Sequence, residues 1–251
     1  MNQKQNKNLL LSVITLIFAS IGGSSIAKET IKIGFYELPP YMSASLEKQG
    51  VIGLLLEKAL KDKGEIQSFP VIPVRVTYLL DNAEITAGVT TVDTLCNNST
   101  EYTCSNVIKL IPIVLAYRPE NIEFNNIQAV DELKQYSNSI GQPKEYVLID
   151  KGNNPLKFKE IKNASSGFKL LETRRLQGVL ISEDVFDYDK VHNLIDQTMK
   201  KSKQLLQVPI HIIVKNKAES QWIIQSVNEY MKNNSYDSLW LDYYLNYAKV
   251  R

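Results

Sequence analysis

Two absences bound the chemistry of this 251-residue chain. It has only two histidines, His192 and His211, and only two cysteines, Cys96 and Cys104. No pair among them has metal-ligand spacing, so no metal is expected. GxSxG, HExxH and a phosphate-binding glycine loop are missing as well, and no cofactor is expected. Net charge is also scarce: 29 basic residues against 27 acidic ones. That near-balance gives no electrostatic case for nucleic acid or for an anionic membrane surface. No apolar run reaches the ~20 residues of a membrane-spanning helix. Internal repeats, low-complexity tracts and Gly/Ser-rich linkers are absent too. Finally, residues 83 to 101, AEITAGVTTVDTLCNNSTE, contain no positive charge at all.

What is present begins with MNQKQNK, carrying Lys4 and Lys7, then the apolar LLLSVITLIFAS and the small residues Ser25-Ile26-Ala27. A charged start, an apolar middle and a small-x-small end predict a secretory signal peptide over 1–27, and hence a soluble, exported, periplasmic protein starting near Lys28. Lys28 stands where a lipid anchor would need a cysteine. Cutting there removes two of the 29 basic residues and no acid, so 27 of each sign remain and the formal net charge is zero. In an oxidising compartment Cys96 and Cys104, close together in CNNSTEYTC, are expected to form a disulfide that staples a loop. The spacing is not that of a CxxC redox motif.

Strand and helix signals alternate along the remainder, so the fold class is α/β. Ile31, Ile33 and Phe35 alternate in IKIGFYELPPYMS and predict a strand that stops at Pro39-Pro40. Leu55, Leu56, Ala59 and Leu60 have helical spacing in GLLLEKALKDKG. FPVIPVRVTYL reads as a second strand and EITAGVT as a third. NVIKLIPIVLAYR, 106–118, is a long strand, and its Pro112 predicts an edge or a bulge. AVDELKQYS is a short helix, NSIGQ a strand, EYVLIDKGN helical, GFKLLETRRLQG a strand or helix, GVLISEDVF a strand ending in acids, and LLQVPIHIIVKN a strand run holding Pro209. SQWIIQSVNEYMKNN is an amphipathic helix with Trp222, Ile223, Val227 and Met231 on one stripe. SYDSLWLDYYLNYAK is a last, aromatic-rich helix. The proline-bearing runs near 112–119 and 206–214 are the candidate connections between two lobes.

In this order the pieces resemble the extracellular solute-binding proteins of the family that serves bacterial amino-acid ABC transporters, family 3, with the type II periplasmic binding fold. The matching motifs are IKIGFYELPPYMS, GVIGLLLEKALKDKG, AGVTTVDT, IPIVLAYRPEN, AVDELKQYSNSIGQ, GVLISEDVF, VPIHIIVKNKAE and SVNEYMKNNSYDSLWLDYYL, and they cover nearly all of residues 31 to 245. The resemblance implies a two-lobed protein with two crossover hinge strands: lobe one over 28–116 and 211–251, lobe two over 117–210. It implies a monomer that closes on a small molecule and hands it to a membrane transporter permease or receptor, without enzymatic turnover.

The resemblance also places the ligand. Tyr36 and Tyr41 would line the cleft as amphipathic rings. Gly88, Thr90 and Thr91 would offer backbone and hydroxyl donors. Gln142 would open the lobe-two loop, with Glu145 or Tyr146 as substitutes. Ser182 and Glu183, beside Asp184, would hold a ligand ammonium. Against these stand a local threonine turn, a plain helix start and a solvated acidic loop. The chain departs from the family in lacking the arginine that takes a ligand carboxylate after the threonine loop, where it reads TLCNNSTEY. Leu54 replaces the usual aspartate of the first helix. The loop is therefore expected to hold a neutral or cationic molecule through hydroxyls and backbone N–H groups, or to have lost its ligand. Two other readings stay open: an interaction protein with a degenerate cleft, and a cyclohexadienyl dehydratase-like enzyme using Glu37 or Glu183 as an acid.

Overall fold

The structure is a computed structural model and describes residues 30–97, 99–144 and 156–247. The expected signal peptide and the expected helix at EYVLIDKGN lie outside these residues, as do Glu145 and Tyr146.

The first half-sheet forms around β1 (Thr30–Phe35), in which Ile31 and Ile33 face the core while Thr30 and Lys32 face solvent. A loop and a 3₁₀ turn lead to helix α1 (Val51–Leu60), whose Ile52, Leu55 and Leu56 are buried. β2 (Glu65–Pro70) pairs parallel with the outer edge of β1. This corrects the expected second strand, which lay a few residues later. The apolar residues of VTYLL instead enter helix α2 (Val76–Asp81), started by a 3₁₀ turn with Pro73 in its first position. There Val76, Leu79 and Leu80, at helical spacing, are the buried set. β3 (Ala87–Thr90) pairs parallel with the other edge of β1. The short helix α3 (Asp93–Asn97) and β4 (Tyr102–Cys104) follow, and Cys96 and Cys104 are joined in the expected disulfide.

The second half begins with β5 (Lys109–Tyr117), continues through β6 (Ile140–Pro143), β7 (Lys159–Ile161), helix α4 (Ala164–Glu172), β8 (Gly178–Ser182) and helix α5 (Glu183–Val191), and ends with the two-residue β9 (Lys200–Lys201). β10 (Leu206–Lys215) returns to the first half, and helices α6 (Ala218–Asn233) and α7 (Tyr236–Asn246) close the described chain. Strand order is β2-β1-β3-β10-β5-β8-β6-β7, with β4 also on β10 and β9 also on β5. AVDELKQYS is helical as expected, in 3₁₀ form over Val130–Tyr136.

β5 and β10 are each shared between two neighbourhoods. Lys109 to Ile113 pair with Leu206 to Ile210. Beyond that crossover Ile113 to Tyr117 pair with β8, while His211 to Ile213 pair with β3. Pro112, expected at an edge or bulge, lies in a strand that is interior in the sheet order. Its segment nonetheless pairs on one side only, with β10, because the β8 ladder starts at Ile113. The missing N–H therefore falls where no second strand asks for it. α1 packs on α6 and α7 over the first half, and α4 and α5 cover β6 and β8 of the second. One continuous core runs through both, from Ile33 and Val89 through Ile111 and Leu115 to Leu180.

Candidate functional site

The loop after β1 carries the two nominated tyrosines, and both rings are buried. Pro39–Pro40 is cis, and Leu38 and Met42 bridge the loop's base. The loop is tied to the start of α1 because the Ile52 N–H donates to the Tyr41 carbonyl at 3.0 Å. Gly50 makes that approach possible. Its φ of 89° is left-handed, and a Cβ there would sit 2.5 Å from the Tyr41 carbonyl oxygen. Tyr41 is thereby aimed away from α1, towards α7 and α5. Its ring lies 6.5 Å from those of Tyr236 and Trp240, and the Lys109 ammonium stands 5.0 Å over the Tyr236 ring.

The Tyr41 hydroxyl donates to Asp184 Oδ2 on α5. This bond spans the two half-sheets: Tyr41 belongs to the β1 side of the crossover, Asp184 to the β8 side. Burial first, and then the Asp184 charge and hydrogen bond, push the Tyr41 phenol far above its ordinary range. The Ser182 hydroxyl acts on it in the opposite direction. Burial also raises the Tyr236 phenol, with Asp184 and Asp237 adding to the effect. Ser182, the last residue of β8, is wholly buried and precedes α5 without capping it.

Glu183 points elsewhere. Its carboxylate is 2.8 Å from the Lys201 ammonium of β9, which also holds Asp187 at 2.7 Å. Burial works against the Lys201 charge, but the bonds to Asp187 and Glu183 outweigh it and raise its pKa. Glu183 and Asp187 thus occupy one face of α5, and Asp184 another.

At the end of β3, Thr90 and the following Thr91 are buried, and Thr90 Oγ1 accepts from the Val92 N–H at 3.1 Å, a local threonine turn. Gly88 has a packing reason for its identity, since a Cβ there would run into Val76 Cγ1 of α2. Thr90 lies opposite His211 of β10. The His211 ring, also buried, places Nδ1 2.9 Å from the Ser105 carbonyl oxygen and Nε2 3.6 Å from Asp93 Oδ1. Gln142 is half-buried on β6, paired in register with Glu160 of β7.

Of the residues nominated from the sequence, the structure brings Tyr41 and Ser182 together around Asp184. It sets Gly88, Thr90 and Thr91 on a separate strand end and Gln142 on a third. Two cavities, of about 840 and 690 Å³, open on the first half. Leu46, Lys48 and Glu57 help line the first, Lys32, Phe69 and Arg75 the second, and no nominated residue lines either. Among the described residues no group of three or more His, Cys, Asp or Glu could hold a metal. No helix among them is long and apolar enough to cross a membrane.

In the sequence Asp184 is one of three adjacent residues, Ser182, Glu183 and Asp184, at the end of a strand, and His211 carries no ligand signal. The helix beginning at Glu183 was the available signal for Asp184, because it separates 183 and 187 from 184 and 188. For His211 the signal was the register of β10 on β3, which no single-chain pattern reveals.

Solved structures with the same architecture include the GluR0 ligand-binding core in complex with L-glutamate. It shares 14% identity at a TM-score of 0.64, covering 90% of this chain and 100% of that one. A substrate-binding protein of an ABC uptake transporter from Streptococcus pneumoniae, with bound histidine, matches at 14% identity and TM-score 0.64, over 87% of this chain and 92% of its own. A variant of ArgBP from T. maritima matches at 14% identity and TM-score 0.63, over 86% and 96%. The fold is that of the two-lobed type II periplasmic binding proteins. No protein-family model matches the chain, and neither does any curated protein.

Proposed function

We propose that the chain is an exported solute-binding protein whose two lobes, 28–116 with 211–251 and 117–210, close by hinge motion on a small polar metabolite and present it to a membrane transporter or receptor. The observation that carries this reading is the Tyr41–Asp184 hydrogen bond, made between the two half-sheets beside β5 and β10, the strands they share among the described residues. Side chains that meet across such a seam form and break with closure, so lobe position and cleft chemistry are coupled through them. Ligands in similar folds, glutamate and histidine among them, support a small polar ligand. The missing arginine argues against a standard α-amino acid held by its carboxylate. Binding without turnover is proposed.

The test is thermal unfolding of the exported protein against amino acids, polyamines, sugars and short peptides. A ligand at ~100 times its dissociation constant adds about 2.7 kcal/mol to stability. A stoichiometric hit supports the receptor; silence across the panel overturns it. One observation favours a second reading. Tyr41 is wholly buried on Asp184 and Lys201 holds Glu183, so the protein's own groups engage both acids at the start of α5. A cleft so filled suits an interaction protein that kept the fold and lost the solute.

A further inference from the structure

His211 stands where β10 leaves β5 and joins β3, directly opposite Thr90. Residues opposite one another on antiparallel strands project from the same face, so ring and hydroxyl share one surface. The Ser105 carbonyl at Nδ1 can only accept, so Nδ1 carries the hydrogen. In the neutral ring Nε2 is then a bare acceptor. This atom is buried, has no hydrogen-bond partner among the described residues, and faces Asp93 Oδ1 at 3.6 Å. With the ring neutral, two acceptors, the buried Nε2 and the half-exposed Asp93 Oδ1, face each other with no donor between them, while Asp93 Oδ2 accepts from Asn97 Nδ2 at 2.7 Å. The Asp93 side chain is 49% exposed, which leaves a way in from solvent. The charges of 83–101 are the acids Glu84, Asp93 and Glu101, with no base to offset them. Lys109 on the neighbouring β5 is in register with Ile210, so alternation sends its side chain to the opposite face from His211.

The geometry points to a donor subsite on lobe one: His211 Nε2 and the Asp93 carboxylate together take the ammonium group of a ligand, next to Thr90. The polarity is the reverse of an arginine clamp for carboxylate, and the ligand class is an organic amine. This inference rests on the solute-binding reading and narrows it.

The experiment uses butylamine, 1,4-diaminobutane, 4-aminobutyrate and butyrate as probes on the exported protein. Binding is followed by thermal unfolding and by the ¹⁵N resonances of the histidine rings. An amine-bearing probe is expected to bind and to move His211 Nε2, while butyrate does neither. Asp93→Asn, a change at a half-exposed carboxylate, is expected to weaken amine binding at least tenfold, and His211→Gln to do the same. If His211→Gln does not fold, the Asp93→Asn result and the wild-type ring resonance decide. Equal affinity in Asp93→Asn, a motionless Nε2 resonance, or binding of butyrate alone overturns the subsite. Any other metabolite that binds wild type and Asp93→Asn alike also overturns it but leaves the receptor standing. No hit from the probes or the metabolite panel overturns both.

Discussion

A phenol buried as fully as Tyr41 must place its hydroxyl on a partner, and Asp184 is that partner. Hydrogen bonds to charged groups contribute about 1.5–3 kcal/mol. Tyr41→Phe is expected to lower stability by about that much, read from the urea midpoint at unchanged slope. The same bond bears on what was legible at this scale. A tyrosine beside a Pro-Pro turn was identifiable as important, but its partner was not. Whether Glu183 or Asp184 faces the seam depends on where α5 starts, and one residue of helix phase turns a side chain by about 100°. Asp189, four residues on from the helix's third position and buried beside His192, offers a test by pH. Burial raises its carboxyl to about 6, against a smaller opposing pull from His192. A raised folded-state value means that the folded protein keeps a proton the unfolded chain releases. The stabilisation is complete below about pH 4 and lost as pH rises through about 6. Asp189→Asn should therefore gain on the wild type from pH 4 to pH 7, by about 1–2 kcal/mol after allowance for partial solvent screening, measured by chemical denaturation at each pH.

At the scale of elements, glycine and the disulfide make separable predictions. β3 can lie against α2 only because Gly88 has no side chain. Gly88→Ala is expected to cost about 1–3 kcal/mol through displacement of α2, whether or not a ligand is present. A ligand role would instead appear as lost affinity at retained stability, so one variant separates packing from function at a residue nominated for the latter. The disulfide ties α3 to β4 across a short loop. Replacing both Cys96 and Cys104 by serine is expected to lower stability by about 2–3 kcal/mol in the chain-entropy model, checked against the oxidised parent in the same denaturant. Elements with a buried alternating face, such as β1, or a helical stripe, such as α6, were legible in the sequence. β2 was not. It is an edge strand whose EIQSFP shows no clean alternation and no fully buried residue. The richer apolar run that followed belonged to a helix, where Val76, Leu79 and Leu80 point the same way. Periodicity reports burial, and an edge strand with little burial leaves almost no signal.

For the whole molecule the decisive fact is how little backbone the two half-sheets share. Among the described residues only β5 and β10 run through both, and their mutual ladder is the short stretch from Lys109 to Ile113 against Leu206 to Ile210. Under the proposed hinge motion, rotation about such a pair would leave the ladders β1–β3 and β8–β6 intact, so closing would cost few hydrogen bonds and be set by the contacts at the seam. The Tyr41–Asp184 bond is one of them, and a term of about 1.5–3 kcal/mol shifts the closed-to-open ratio by about ten- to 150-fold. Removing it should move the unliganded protein towards the open form. Small-angle X-ray scattering is expected to give a larger radius of gyration for Tyr41→Phe than for wild type, and a bound ligand should bring the two together by supplying the lost closing energy. If Tyr41→Phe loses stability yet scatters like wild type, the bond is a packing contact within one rigid body. The hinge reading would then have to rest on some other pair across the seam.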